Sequence, residues 1–295
     1  MNPGTKQNVG DTVWDLVLRY TVHANESEFG VALRNRELPK PRYLGYIAAM
    51  YPIVIGFNRA LIKSLAKIDH VRQSTFVRAL AEQLYEEQGH NQLWRGKLRT
   101  FGIDHEALYR TLEGYLADFS AAELEHMTKG VLAHLQRDLT DVAPRCFPEP
   151  PFPEPVLALY HYLWMTASLE SIPYWEHFAC QAAMECAIFE VVSTSIYPGV
   201  VGNPELDVGP ATTVWWKEHS RQGSESGKRS EEEKHLELSR HALNRNDQAN
   251  ELATQITARV EDTCRLFAGT FICHDSDKIG FSLEPYLCAV SEKAP

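Results

Sequence analysis

Apolar residues recur at three- and four-residue intervals along most of this chain, and no run alternates apolar with polar convincingly enough to read as a strand. That pattern commits the chain to packed helices, since each apolar stripe must be buried against another element. A first amphipathic stretch follows Asp11 and Thr12, with Val13, Leu16, Val17 and Tyr20 on one face. The polar, Pro-containing stretch 25–42 predicts a break. From 43 to about 68 the apolar residues continue round much of the circumference, as in a helix buried between others. Residues 71–101 read as an amphipathic helix or a pair of them, stopped by Gly102, with Phe76, Leu80, Leu84 and Trp94 on one stripe. Shorter helices are expected over 104–140, with Ser120 capping the run that begins at Ala121.

Six prolines between 144 and 155 predict an extended loop over about 143–155. Helices are expected next over 155–164 and 173–196, the second rich in alanine and ended by Tyr197, Pro198 and Gly199. Residues 212–219 read as helix, the polar run 220–230 as a loop or loosened helix, and 231–243 and 247–271 as the closing helices. From about 274 the tail is irregular, and no repeat of fixed period occurs. The expectation is one all-α domain over 1–295, with its core at about 43–271.

Charge narrows the partners. The 295 residues carry a formal net charge of −10, with no cluster of Lys and Arg interleaved with aromatics, which argues against nucleic acid and anionic lipid. The polar N-terminus does not read as a signal peptide, and the apolar stretches 46–57 and 178–192 read as too short or too interrupted to span a bilayer. A cytoplasmic protein with no membrane partner is expected. The six cysteines show no CxxC spacing and read as reduced, buried residues.

The strongest local signal is Glu86-Glu87-Gln88-Gly89-His90. On a helix, Glu87 and His90 point to the same side, and a Glu-x-x-His pair is how helical bundles offer a carboxylate and an imidazole to one metal ion. Glu86, four residues before His90, would serve nearly as well. Glu123 and His126 show the same spacing in a polar run that reads as plain surface, so the spacing alone decides nothing. A second pair, Glu232 and His235, sits in a run of three glutamates of the kind that marks a solvated helix start, with Glu237 and His241 as an alternative one turn later. Glu185 lies among small apolar residues, where a carboxylate is costly unless it is paired or holds a cation. Glu190 is its fallback on another face. His219 follows the paired Trp215 and Trp216, and either a ligand or a helix-capping role fits it. Carboxylates mixed with imidazoles and no thiolates suit iron or manganese better than structural zinc.

The run 84–94 around Glu87 and His90, with Phe101-Gly102-Ile103 after it, resembles the first metal-binding helix of the haem-oxygenase-like diiron oxidases and oxygenases. That superfamily shares a seven-helix bundle with the TenA thiaminases and the pyrroloquinoline-quinone synthase type. The resemblance implies a haem-oxygenase-like fold, a non-haem centre of two irons, dioxygen as co-substrate and a homodimer. Carried over, it assigns Glu87, His90, Glu185, His219, Glu232 and His235 as ligands. Tyr85, Trp94, Trp215 and Trp216 are then candidates for the substrate pocket, with packing roles equally open to them. The sequence departs from the family pattern in the polar run between His219 and Glu232, in Lys228 one turn before Glu232, and in Gln83 where some relatives carry another carboxylate.

The expectation is an O2-dependent iron enzyme acting on a small molecule, first an amino-acid-derived metabolite oxidised at carbon or nitrogen with C–C cleavage as one outcome, second a fatty acid that loses its carboxyl group. A metal-free enzyme of the TenA or quinone-synthase kind is the rival, and it keeps Cys180, Cys186 and Lys228 in view as reactive groups. A scaffold without catalysis is the other rival, and it requires Glu185 to meet an Arg or Lys with no cavity beside it.

Overall fold

The structure is a computed structural model that describes residues 8–71, 73–140, 145–221, 231–275 and 281–288. Its helices are α1 (Val9–Glu26), α2 (Glu28–Arg34), α3 (Lys40–Ala49), α4 (Tyr51–Leu65), α5 (Ser74–Thr100), α6 (His105–Ala117) and α7 (Ala121–Arg137). They continue with α8 (Glu154–Ser168), α9 (Tyr174–Val191), α10 (Tyr197–Gly202), α11 (Pro210–Glu218), α12 (Glu231–Arg245), α13 (Asp247–Glu251) and α14 (Ala253–Ile272). Among the described residues the only extended pairing is an isolated bridge between Ile103 and Leu287. The all-α expectation holds.

Local chemistry sets most of the boundaries. Asp104 caps α6 by accepting from the amides of Glu106 and Ala107. Ser120 and Glu123 form a reciprocal capping box on α7. Gly102 follows α5 at φ +71°, the left-handed conformation that ends a helix cheaply only at glycine.

Four expectations change. The 25–42 break contains a helix after all, α2, because Ser27 accepts from the amide of Gly30 and starts a new turn. The helix expected from 43 to 68 is two, parted at Met50, since Pro52 suits only the first turn of a new helix. Tyr197-Pro198-Gly199 does not end the long helix. α9 runs into a π-helical turn at Val192–Ile196, and Pro198 then opens α10, which ends at Asn203. The last helix is likewise divided, α13 from α14.

The helix α9 is the axis of the bundle, packed by α1, α4, α8, α12 and α14, and nearly every residue of it is buried. α4 lies directly on α8, where a Cβ on Gly56 would come 2.5 Å from the Tyr160 ring, so glycine is needed for that approach. Two runs, Lys40–Leu65 and Tyr174–Gly202, are long and apolar enough to cross a membrane, contrary to the expectation from the sequence. Most of each is buried inside the bundle, as core helices are. The tail is less loose than expected over 281–288. Tyr286 is buried, its carbonyl accepts from the Asp104 amide at 2.8 Å, and the Cys288 amide donates to the Gly102 carbonyl at 2.8 Å.

Candidate metal centre

The inward stripe of α5 runs Leu80, Gln83, Glu87, His90, Trp94, Lys97, a spacing of three and four residues that keeps one side of the helix on the core. Opposite it, α9 presents Glu185, the C-terminal end of α11 presents His219, and the first turn of α12 presents Glu232. All five side chains, Glu87, His90, Glu185, His219 and Glu232, line one cavity of about 50 Å³, room for a few waters. Its remaining wall is apolar, with Met50, Ile53, Phe57, Val192 and Ile196 among the contributors, so the π-helical turn faces the site.

One ligand atom each from Glu87, His90 and His219 lies within 4.8 Å of the other two. The His90 and His219 rings meet edge to face, with centroids 4.2 Å apart. His219 Nδ1 lies 2.9 Å from the Trp215 carbonyl, an acceptor, which fixes the proton on Nδ1 and leaves Nε2 with a lone pair. His90 Nδ1 is 3.1 Å from Glu87 Oε1. Glu185 accepts a short hydrogen bond from the Gln83 amide, which fixes the orientation of its carboxylate.

The electrostatics of this cluster are those of acids lacking a counter-charge. Burial, then the nearby Glu232 and Glu87, hold the Glu185 carboxyl well above the usual carboxylate range. Burial and Glu87 push Glu232 up to about 8, against an opposing pull from His90. Burial and the neighbouring His90 press His219 well below the usual imidazole range. At His90 burial pulls down, but the hydrogen bond and charge of Glu87, with Glu232 and Glu218, outweigh it and the ring is raised. Among the described residues no Lys or Arg lines the cavity. Buried carboxylates and imidazoles with no fixed cation fit a bound divalent ion.

Other expected site residues fall elsewhere. His235 does not line the cavity, and its Nε2 meets Glu86 Oε2 at 3.1 Å on the outer seam between α5 and α12. Glu86 is therefore occupied outside, and Glu87 is the residue that faces in. Glu190 pairs with Arg221, away from the cavity. Glu237 and His241 are exposed. Tyr85 is 82% exposed and is no pocket residue, because two residues before Glu87 it points to the far side of the helix. Trp94, Trp215 and Trp216 do line the cavity. Lys228 and most of the polar run lie outside the described residues. Sequence reasoning missed Lys97, which is wholly buried and stands on the α5 stripe seven residues after His90. Its signal was that register, which places a lysine on the inward face.

No protein-family model matches this chain, and no curated protein matches it in sequence. Among solved structures, a TenA homolog from Pseudomonas syringae pv. tomato aligns over 92% of this chain and 98% of its own, with TM-score 0.53 and 18% identity. The chain has that fold, an all-helical bundle of the TenA and haem-oxygenase-like kind.

Proposed function

We propose that the protein is an O2-dependent non-haem iron oxidase or oxygenase that acts on a small metabolite with an apolar body. The observation that carries this reading is the convergence of three carboxylates and two imidazoles, with Glu185, Glu232 and His219 buried and Glu87 and His90 nearly so, on one otherwise apolar cavity. Glu87, His90 and His219 would hold one iron, with Glu185 and Glu232 placed to share or complete a second. Bound iron supplies the binding and reduction of dioxygen, chemistry that side chains alone do not perform. The protein's part is to orient and to exclude water. Trp215 fixes the His219 tautomer, Gln83 holds the Glu185 carboxylate, and the apolar wall keeps the cavity dry.

The lining also bears on the substrate. A substrate carboxylate finds no Arg or Lys among the described lining residues, so an acid would place its carboxylate toward the metal. The metal-free rival gains no support, since none of the described lining residues is a cysteine and burial pushes the Cys180 thiol up to about 12. Nor does the scaffold reading, because Glu185 meets Gln83 beside a cavity rather than a basic residue.

The test is anaerobic titration of the metal-free protein with ferrous iron, then exposure to oxygen, for wild type and Glu185→Ala. Uptake approaching two irons, with a transient visible absorption that the variant loses, is the expected result. Absent uptake, or uptake indifferent to Glu185, overturns the assignment.

A further inference from the structure

Three inward residues of α5 are each followed by a polar one: Gln88 after Glu87, Asn91 after His90 and Arg95 after Trp94. One residue is about 100° of helix, so these three form a second stripe beside the first. α4 brings Ile55, Asn58 and Ile62 against that stripe, and α6 adds Glu106. Together they line a pocket of about 230 Å³, and none of its described lining residues belongs to the metal cavity. The two are nonetheless joined through the backbone, since Asn58 Nδ2 donates to the Glu87 carbonyl at 3.2 Å.

The polar groups of this pocket do not satisfy one another. Asn58 is 3% exposed, and its bond to Glu87 fixes the amide with Nδ2 as the donor. The atom left over is the acceptor Oδ1, which is buried without a donor. Arg95 is the converse, for its Nε is a buried donor without an acceptor. Its guanidinium meets the Tyr51 hydroxyl, and among the described residues no acid stands in ion-pair contact with it. Glu106 brings the opposite charge. Its exposed carboxylate lies 3.3 Å from His105 Nε2, and burial holds that ring below its ordinary range. At neutral pH the ring is neutral, so this contact leaves the Glu106 charge uncompensated.

A cation and an anion on one pocket, with no ion pair between them, call for a ligand that carries both charges. A simple anion would leave Glu106 and Asn58 Oδ1 without a donor. A simple amine would leave Arg95 without an acceptor. We propose that this pocket binds a free α-amino acid. Its carboxylate takes the free N–H groups of the Arg95 guanidinium, a planar fork suited to two oxygens. Its ammonium, which only donates, serves the Glu106 carboxylate and Asn58 Oδ1. The carboxamides of Gln88 and Asn91 and the apolar flanks of Ile55 and Ile62 remain for the side chain. This site does not rest on the proposed iron chemistry, and it is tested without metal.

The experiment is isothermal titration calorimetry of the full-length metal-free protein at neutral pH with millimolar L-leucine and L-glutamine. Two controls, 4-methylpentanoate and 3-methylbutylamine, each keep one of leucine's two charged groups. At least one amino acid is expected to bind, with both controls weaker by roughly tenfold or more, since each forfeits a charged hydrogen-bonding group. Arg95→Met should abolish binding of the amino acid. Glu106→Gln should weaken it and narrow its margin over the plain carboxylate. Binding of neither amino acid, or equal binding of 4-methylpentanoate in the unaltered protein, overturns the proposal. So does heat that survives Arg95→Met and disappears in Glu185→Ala, which would put the amino acid in the metal cavity. If Arg95→Met fails to fold, Glu106→Gln and the two controls on the unaltered protein decide. Iron uptake is read separately, so failure of this site and failure of the metal reading give different results.

Discussion

Three helices carry Glu-x-x-His, and only α5 turns both of its residues inward. On α7, Glu123 sits in the first turn, where its carboxylate accepts from the Ser120 amide at 2.8 Å and the Ser120 hydroxyl at 2.7 Å. It caps a helix, and His126 is exposed. On α5, Glu87 and His90 lie in mid-helix, with buried Leu80 seven residues before the glutamate and buried Trp94 seven after it. Spacing says that two side chains share a side; the apolar residues one and two turns away say which side it is. The α12 pair is intermediate. Glu232 faces the cavity while His235, three residues on, turns to the outer acid Glu86.

The largest expected difference is in metal affinity. Glu87→Ala or His90→Ala should weaken ferrous binding by more than the roughly 100-fold that loss of an outer-shell partner typically costs. Glu123→Ala and His126→Ala should leave it unchanged. Competition with a ferrous chelator reads all four, and an equal loss in the α7 variants would break the contrast.

A second effect appears in the metal-free protein as a function of pH. Glu232 holds its proton in the fold up to about 8, whereas the unfolded chain releases it near 4.5. The folded state therefore binds more protons between those values, so this residue's contribution is fully present below 4.5 and is lost as pH rises through 8. His161 and His177, buried away from the cavity, act in the opposite sense. Burial lowers them from 6.5 to about 4 and about 3, so their contribution is present above 6.5 and lost as pH falls through those values. Urea midpoints across this range should decline with pH above 6.5, and Glu232→Gln should flatten that limb while sparing the acid side. Saturating ferrous iron should raise the whole curve, by about 2.7 kcal/mol at 100 times the dissociation constant.

Much of this was legible in the sequence because helices repeat locally. The Ser120 cap, the Gly102 stop and the inward face of Glu87 and His90 all follow from residues within two turns of each other. What failed depends on elements far apart in the chain. Nothing near His235 announces that Glu86 will stand opposite, and nothing near Glu190 announces Arg221. The division at Met50 was hidden by an unbroken apolar run, although Pro52 marked it. Lys97 escaped for a different reason. Lysine is read as a surface residue by habit, while its register on α5 put it with Trp94 and His90.

On α7 the Glu123 side chain should matter to stability alone, with Glu123→Ala lowering the thermal midpoint modestly through loss of one half of the capping box. The smallest effect is expected at His235, and it decides how far the α12 pair follows the α5 pair. Its contact with Glu86 is a partly exposed ion pair, 21% and 44% exposed at the two side chains, of a kind worth about 0–1 kcal/mol. His235→Ala should thus change the thermal midpoint little, and a double-mutant cycle with Glu86→Ala should return a coupling within that range. Ferrous affinity should stay within a few-fold of the parent, because His235 is spent on the outer seam rather than on the cavity. A loss as large as that of His90→Ala would mean that metal draws His235 inward and frees Glu86. The α12 pair would then join the α5 pair as a full Glu-x-x-His ligand set, and the Glu86–His235 contact would belong to the metal-free state alone.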